Sequence, residues 1–279
     1  MEIKTVDIYQ HFAAQAPEGA AGRLTCYIPF THPSISPDRR RPAVLILPGG
    51  GYVYTSARES EPIALRFVAR GYCAFVLDYS CAPHCFPTPL REALMAMRYI
   101  RENAEAMQVD PQMVAAIGFS AGGHLCGILG TMYDAPEVAD IGPANLLRPD
   151  ALGLCYPVAV AWGRTHELTF ENISGGDAEL RKRLSLDALA RPDMPPVFLW
   201  HTRSDASVPS RNSTVLAEAL EEAGVDFALH IYHKGKHGLS TADTLVFRAD
   251  AVPEMSWDAP GWLEAQIRFF EDCGLKIRD

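Results

Sequence analysis

Ser120 lies in Gly118-Phe119-Ser120-Ala121-Gly122, directly after the apolar run Met113 to Ile117 and directly before a stretch of helical character, Ala121 to Met132. A serine hydroxyl is a weak nucleophile until it is exposed, set against a base and given donors for the oxyanion. A strand, a sharp turn and a helix, with glycine on both sides of the serine, supply the exposure. A helix N-cap accounts for the serine but not for the paired glycines, so the pentapeptide reads as a nucleophile turn.

A serine on such a turn takes its partners downstream, acid before histidine, each on a loop that follows a late strand. Asp205 follows the predicted strand Pro196 to His201, and His237 follows Phe227 to Tyr232. There Asp205 would orient the imidazole, and His237 would take the Ser120 proton and return it to the leaving group. His201, His230 and His233 compete for the base, but they lie within or at the edge of strands, where packed histidines are usual. Asp193 and Asp226 precede their strands, and His124, one turn into the helix after Ser120, reads as a packing residue.

Donors for an oxyanion are expected from the amide of Ala121 and from Leu47-Pro48-Gly49-Gly50-Gly51-Tyr52. Glycines let backbone N–H groups turn toward a ligand with no Cβ in the way, and Gly50 and Gly51 are the candidates. This loop has neither the G-x-G-x-x-G nor the Walker spacing of a phosphate cradle. Tyr52, Trp162 and Phe170 are candidate pocket-lining aromatics, weighed against the commoner role of such side chains as core.

The elements that must position these residues alternate along the chain. Ala43 to Leu47, Tyr72 to Leu77, Met113 to Ile117, Ala151 to Tyr156, Pro196 to His201 and Phe227 to Tyr232 are short apolar runs that read as buried strands. Between them the spacing predicts helices over Glu59 to Arg70, Pro89 to Ala104, Ala121 to Met132 and Ser210 to Ala223, with Trp262 to Cys273 closing the chain. Strands alternating with crossover helices predict an α/β fold with a mostly parallel sheet flanked by helices. Alternation around Ile3 to Tyr9 and Leu24 to Ile28 adds an antiparallel edge pair. Residues 157–195, a polar region rich in Gly and Pro, read as a small lid or substrate-shaping insertion in a single domain over 1–279.

Composition limits the partners. With 48% apolar and 21% charged residues the chain can bury a sizeable core, and its net charge of −9 opposes binding to nucleic acid. Glu2, Lys4 and Asp7 interrupt the N-terminal run a secretory signal needs, and no ~20-residue apolar stretch suits a bilayer. The chain is therefore expected to be cytoplasmic and to avoid membranes. Seven cysteines, an odd number scattered through apolar segments, fit reduced thiols. Cys81, His84 and Cys85 lack a second ligand pair, so no metal is expected, and no cofactor.

Together, Pro48-Gly49-Gly50-Gly51-Tyr52, Gly118-Phe119-Ser120-Ala121-Gly122-Gly123-His124, Asp205 with Val208-Pro209, and His237-Gly238 resemble the esterase/lipase group of α/β-hydrolases. The similarity spans Pro42 to the C-terminus and is strongest to the acetylxylan and feruloyl esterase-like branch. It implies an α/β-hydrolase fold, a Ser120, Asp205, His237 triad and an oxyanion hole from the amides of Gly50, Gly51 and Ala121. The hormone-sensitive-lipase-like branch carries histidine where this chain has Pro48, a departure that leaves backbone donors intact. The expected activity is serine carboxylic ester hydrolysis through an acyl-enzyme on short acyl groups, such as acetyl on a sugar. The alternatives are a peptidase of the prolyl-oligopeptidase type, a ligand-binding module without catalysis, and a membrane-active lipase. The oligomeric state stays open, a dimer included.

Overall fold

A computed structural model describes residues 1–32 and 34–279 of the chain. Eight strands, β1 (Glu2–Asp7), β2 (Arg23–Ile28), β3 (Arg41–Leu47), β4 (Cys73–Asp78), β5 (Val109–Phe119), β6 (Leu152–Cys155), β7 (Val197–Thr202) and β8 (Phe227–Tyr232), form one sheet in the order β1-β2-β4-β3-β5-β6-β7-β8. From β4 across to β8 every pairing is parallel, whereas β2 runs antiparallel to both β1 and β4. The helices are α1 (Ile8–His11), α2 (Glu61–Ala69), α3 (Thr88–Glu102), α4 (Ala121–Thr131), α5 (Ala144–Leu147), α6 (Glu167–Ser174), α7 (Ala178–Arg183), α8 (Leu186–Leu189), α9 (Arg211–Glu222) and α10 (Trp262–Asp272). The chain therefore has the mostly parallel α/β architecture that the alternation of apolar runs and helical stretches predicts.

Helices cover both faces, which is why the inner strands read as continuous apolar runs rather than as an alternation. Along β5, Val114 and Ala116 join the core with Leu125, Ile128 and Leu129 of α4. The intervening Ala115, Ile117 and Phe119 join the opposite core with Phe67 of α2 and Trp262 and Phe270 of α10. Each face thus buries a full helical stripe, and each fully buried Leu or Phe contributes roughly 1.5–3 kcal/mol against exposure. Among the described residues, no helix is long and apolar enough to cross a membrane.

Four segments depart from the sequence reading. β3 begins at Arg41 and β5 at Val109, both earlier than expected, with a register shift where Arg41 pairs Val109 and Ala43 pairs Val114. Pro42 and Pro111 lack the N–H of a regular ladder, so their segments look strand-poor in sequence although the chain is extended there. The spacing puts Glu59 at the start of a helix, but α2 begins at Glu61, with Pro62 in its first turn and Ser60 as its cap. Glu59 ends a separate 3-10 turn and is buried. Glu92 of α3, although a charged residue on a helix at the protein's surface, is fully buried and accepts hydrogen bonds from Tyr9 Oη and from the amide and hydroxyl of Ser80.

The loops after β3, β5, β6, β7 and β8 all leave from the carboxyl edge of the parallel sheet, where ligands collect in folds of this type. The β5–α4 junction is the tightest. A methyl group on Gly118 would lie 2.0 Å from the Gly122 carbonyl oxygen, and one on Gly122 would lie 2.1 Å from the Leu47 carbonyl oxygen. Both obstacles are backbone, so neither can swing aside. Gly118→Ala is accordingly expected to cost about 2 kcal/mol or more of stability, measured as a lower denaturation midpoint with an unchanged slope.

Candidate active site

Ser120 stands between β5 and α4 with φ 54° and ψ −117°, a left-handed conformation that a non-glycine residue adopts only when its surroundings impose it. Its amide donates to the Cys155 carbonyl at 2.9 Å, and its carbonyl accepts from the amides of His124 and Val158. With the backbone held on both sides, the side chain projects from the turn. Ser120 Oγ lies 2.8 Å from His237 Nε2, and His237 Nδ1 lies 2.7 Å from Asp205 Oδ2. The structure thus brings together three residues separated by up to 117 positions.

Asp205 is buried, and its second oxygen accepts the amides of Ser207 and Val208, each at 2.9 Å. Burial alone would raise its pKa. The hydrogen bonds from His201 and His237, the charge of His237 and the Val208 amide outweigh burial and hold the carboxyl well below the usual carboxylate range. An ionised carboxylate only accepts, so His237 Nδ1 carries the proton and Nε2 is left to accept from the Ser120 hydroxyl. The loop that carries His237 is tied to the loop that carries Asp205, because Thr202 Oγ1 and Ser204 Oγ both donate to the Gly235 carbonyl.

The competing residues are placed elsewhere. His201 is fully buried behind Asp205, donating from Nε2 to the Val208 carbonyl and accepting from Ser213 Oγ at Nδ1. His230, on β8, packs against Phe198 of β7, and His233 is exposed. Asp193 pairs with Arg191 and Tyr133 on the surface, and Asp226 is exposed. Among the described residues, no three His, Cys, Asp or Glu side chains gather as a metal site.

The glycine loop after β3 is bent by local need. Gly50 has φ 132°, and a methyl group there would lie 1.9 Å from the Tyr54 carbonyl oxygen. The amide of Gly49 donates to Glu59 Oε2 at 2.8 Å, whereas those of Gly50 and Gly51 have no acceptor among the described residues. Ala121 is the first residue of α4, and an amide at that position has no acceptor within its helix. Among the described residues, three amides are thus left without a partner at the strand ends beside Ser120.

Two buried networks hold this loop. Glu59 accepts from Gly49 through Oε2 and from Tyr156 Oη through Oε1 at 2.7 Å, while Tyr156 Oη accepts the Ser240 amide. Burial and the Glu59 carboxylate push the Tyr156 phenol well above 10, so it remains a donor. Its ring meets the His237 ring edge-on with centroids 5.1 Å apart. On the other side Tyr52 Oη lies 2.9 Å from His124 Nδ1, and His124 Nε2 donates to the Leu184 carbonyl at 2.8 Å. His124 is therefore a neutral packing residue, as its position in the sequence implies.

A cleft of about 320 Å³ opens over Ser120 and His237, lined also by Gly50, Gly51, Tyr54, Arg58, Glu59, His166 and Leu168. The three aromatics expected to line it do not. Tyr52 and Phe170 are fully buried, with Phe170 packed against the His124 ring. Trp162 is half-exposed, covered by Arg211 and bonded to Asp187. Side chains that the sequence does not single out, Glu59, Tyr156 and His166, stand at the site instead. Pro62 was the available signal for Glu59, since a helix that starts just before it leaves Glu59 outside. Residues 157–195 do reach the site, through His166 and Leu168 at the start of α6.

A family model described as BD-FAE matches residues 32–147. The chain is 36% identical to an endo-1,4-beta-xylanase B of Butyrivibrio fibrisolvens over 79% of its own length and 36% of that protein's. It is 28% identical to an acetylxylan esterase of Xylanibacter ruminicola, over 81% of its length and 45% of the relative's. It thus spans between about a third and a half of the length of these curated relatives. Among solved structures, an acetyl ester-xyloside bifunctional hydrolase from Caldicellulosiruptor lactoaceticus superposes with a TM-score of 0.79 at 34% identity, covering 91% of this chain and 89% of that one. The chain belongs to the α/β-hydrolase superfamily, in the esterase group related to the acetylxylan esterase branch.

Two measurements check the networks. A carboxamide in place of the Glu59 carboxylate has one acceptor oxygen for two donors, so Glu59→Gln is expected to lower the unfolding free energy by about 1–3 kcal/mol in chemical denaturation. Burial pushes His124 from 6.5 down to about 4. Between these values the unfolded chain binds a proton that the native chain refuses, so stability falls as pH drops through that window. His124→Asn should show a shallower fall over the same range.

Proposed function

We propose that this protein is a serine carboxylic ester hydrolase that works through an acyl-enzyme, with Ser120 as nucleophile, His237 as base and acid, and Asp205 as orienting carboxylate. The observation that carries the reading is the line of short hydrogen bonds from Ser120 through His237 to Asp205, opening into a cleft rimmed by unengaged amides.

Ser120 Oγ attacks the ester carbonyl carbon while its proton passes to His237 Nε2. The carbonyl oxygen becomes an oxyanion and accepts from the amides of Gly50, Gly51 and Ala121, preorganised dipoles worth several kcal/mol in such sites. Asp205 stabilises the imidazolium through Nδ1–H. The intermediate collapses, the carbon–alkoxy bond breaks, and Nε2–H protonates the leaving alcohol. Water, deprotonated by His237, then attacks the acyl-enzyme. Its collapse releases the carboxylic acid and returns the proton to Ser120.

The substrates that fit best are esters of small acyl groups, acetyl above all, on a carbohydrate hydroxyl. The cleft, about 320 Å³ in all, has room for a short acyl chain. The names of the relatives, an acetylxylan esterase and an acetyl ester-xyloside hydrolase, support the sugar alcohol.

Ser120→Ala is expected to reduce p-nitrophenyl acetate turnover by at least about 10³-fold and to abolish labelling by a fluorophosphonate. Asp205→Asn, which leaves the imidazole in the wrong tautomer, should cost about 10³ to 10⁴ in kcat. Turnover of short esters that survives Ser120→Ala in a folded protein would sink the reading.

A further inference from the structure

His166 faces the cleft beside Ser120 and His237, and the mechanism above gives it no task. It is the residue before α6, half-buried, and its Nδ1 lies 2.8 Å from Thr169 Oγ1. Thr169 is fully buried, and its hydroxyl has no other partner among the described residues. If His166 Nδ1 carried the proton, the Thr169 hydroxyl hydrogen would be buried with nothing to accept it, a cost of about 1–3 kcal/mol. The Thr169 hydroxyl therefore donates to Nδ1. The proton of the neutral ring sits on Nε2, which has no protein acceptor among the described residues.

Burial first, and His237 after it, lower the pKa of His166 from its ordinary value, against the opposing carboxylates of Asp205 and Glu167. Its place relative to an ester follows from its neighbours. A methyl group on Gly51 would lie 3.5 Å from His166 Cε1, which sets the ring against one of the proposed oxyanion donors. A bound ester turns its carbonyl oxygen to those amides and its alkoxy oxygen to His237. A ring that borders Gly51 and lines the same cleft as Ser120 and His237 stands beside the carbonyl of such an ester.

We propose that His166 Nε2–H donates to a hydroxyl oxygen on the carbon next to the acylated one, making the site selective for monoacyl esters of vicinal diols, as in sugars, over esters of simple alcohols. The inference rests on the ester-hydrolase reading and extends it to the alcohol. An N–H that has lost its water and meets a methylene instead stays unpaired, which is how a site rejects the analogue that lacks the hydroxyl.

The test compares kcat/KM for trans-2-acetoxycyclohexanol and cyclohexyl acetate, which share ring and acyl group and differ in the neighbouring hydroxyl. The native protein should favour the hydroxylated ester by about tenfold. His166→Ala should bring that ratio near unity, and His166→Gln, which keeps an N–H, should recover part of it. Nitrogen-15 NMR of the ring should find the proton on Nε2. If neither ester is hydrolysed, the ester-hydrolase reading fails and this inference with it. If both are hydrolysed but the ratio ignores His166→Ala, or the proton lies on Nδ1, only the assignment to His166 is overturned.

Discussion

The left-handed backbone at Ser120 is the constraint on which the rest of the site depends. A residue with a Cβ is held at φ 54° only because β5 delivers it rigidly and α4 starts at once. The close approach of that turn to Leu47 and Pro48 excludes any side chain at Gly122, and its own return leaves no room at Gly118. Strain of this kind costs of order 1–3 kcal/mol and persists where packing over-determines it. Here the packing consists of two cores, one on each face of the sheet, that meet at β5. Because the same turn abuts the end of β3, the serine and the glycine loop are positioned by one contact.

Buried polar groups then set what packing leaves free. A glycine-rich loop can take many shapes, and its freedom is removed by partners that cannot easily be replaced: Glu59 on the Gly49 amide, Asn172 on the Gly51 carbonyl and Tyr79 on the Pro48 carbonyl. Glu59 also reaches Tyr156, and Tyr156 reaches the Ser240 amide beyond His237. One carboxylate therefore links the loop with the spare amides to the segment that follows the histidine. Such a network is costly if half-made and rigid when complete, which suits a site in which donors must be aimed before charge develops.

Much of this was legible in the sequence because it is local. Gly-x-Ser-x-Gly after an apolar run is a statement about a few consecutive residues and their sterics. Apolar strands and amphipathic helices follow from periodicity over one element. The order of Ser120, Asp205 and His237 could be read because each follows its own strand, and parallel strands all deliver their next loops to one edge of the sheet.

What only the tertiary structure decided is which side chains meet across elements. Nothing in the run from Ala57 to Glu61 says that Glu59 turns inward to bind an amide ten residues earlier and a tyrosine nearly a hundred later. Nor does the segment around Trp162 say that the tryptophan caps the surface while His166, four residues on, enters the cleft. Tyr52 and Phe170 are aromatic and near the right loops, yet each is withdrawn into the core by His124. Sequence determined the backbone turns and the succession of strands and helices along the chain because those are set by sterics and periodicity within a segment. The lining of the cleft was left to the fold because it depends on distances between segments, which close only when the cores on both faces are packed.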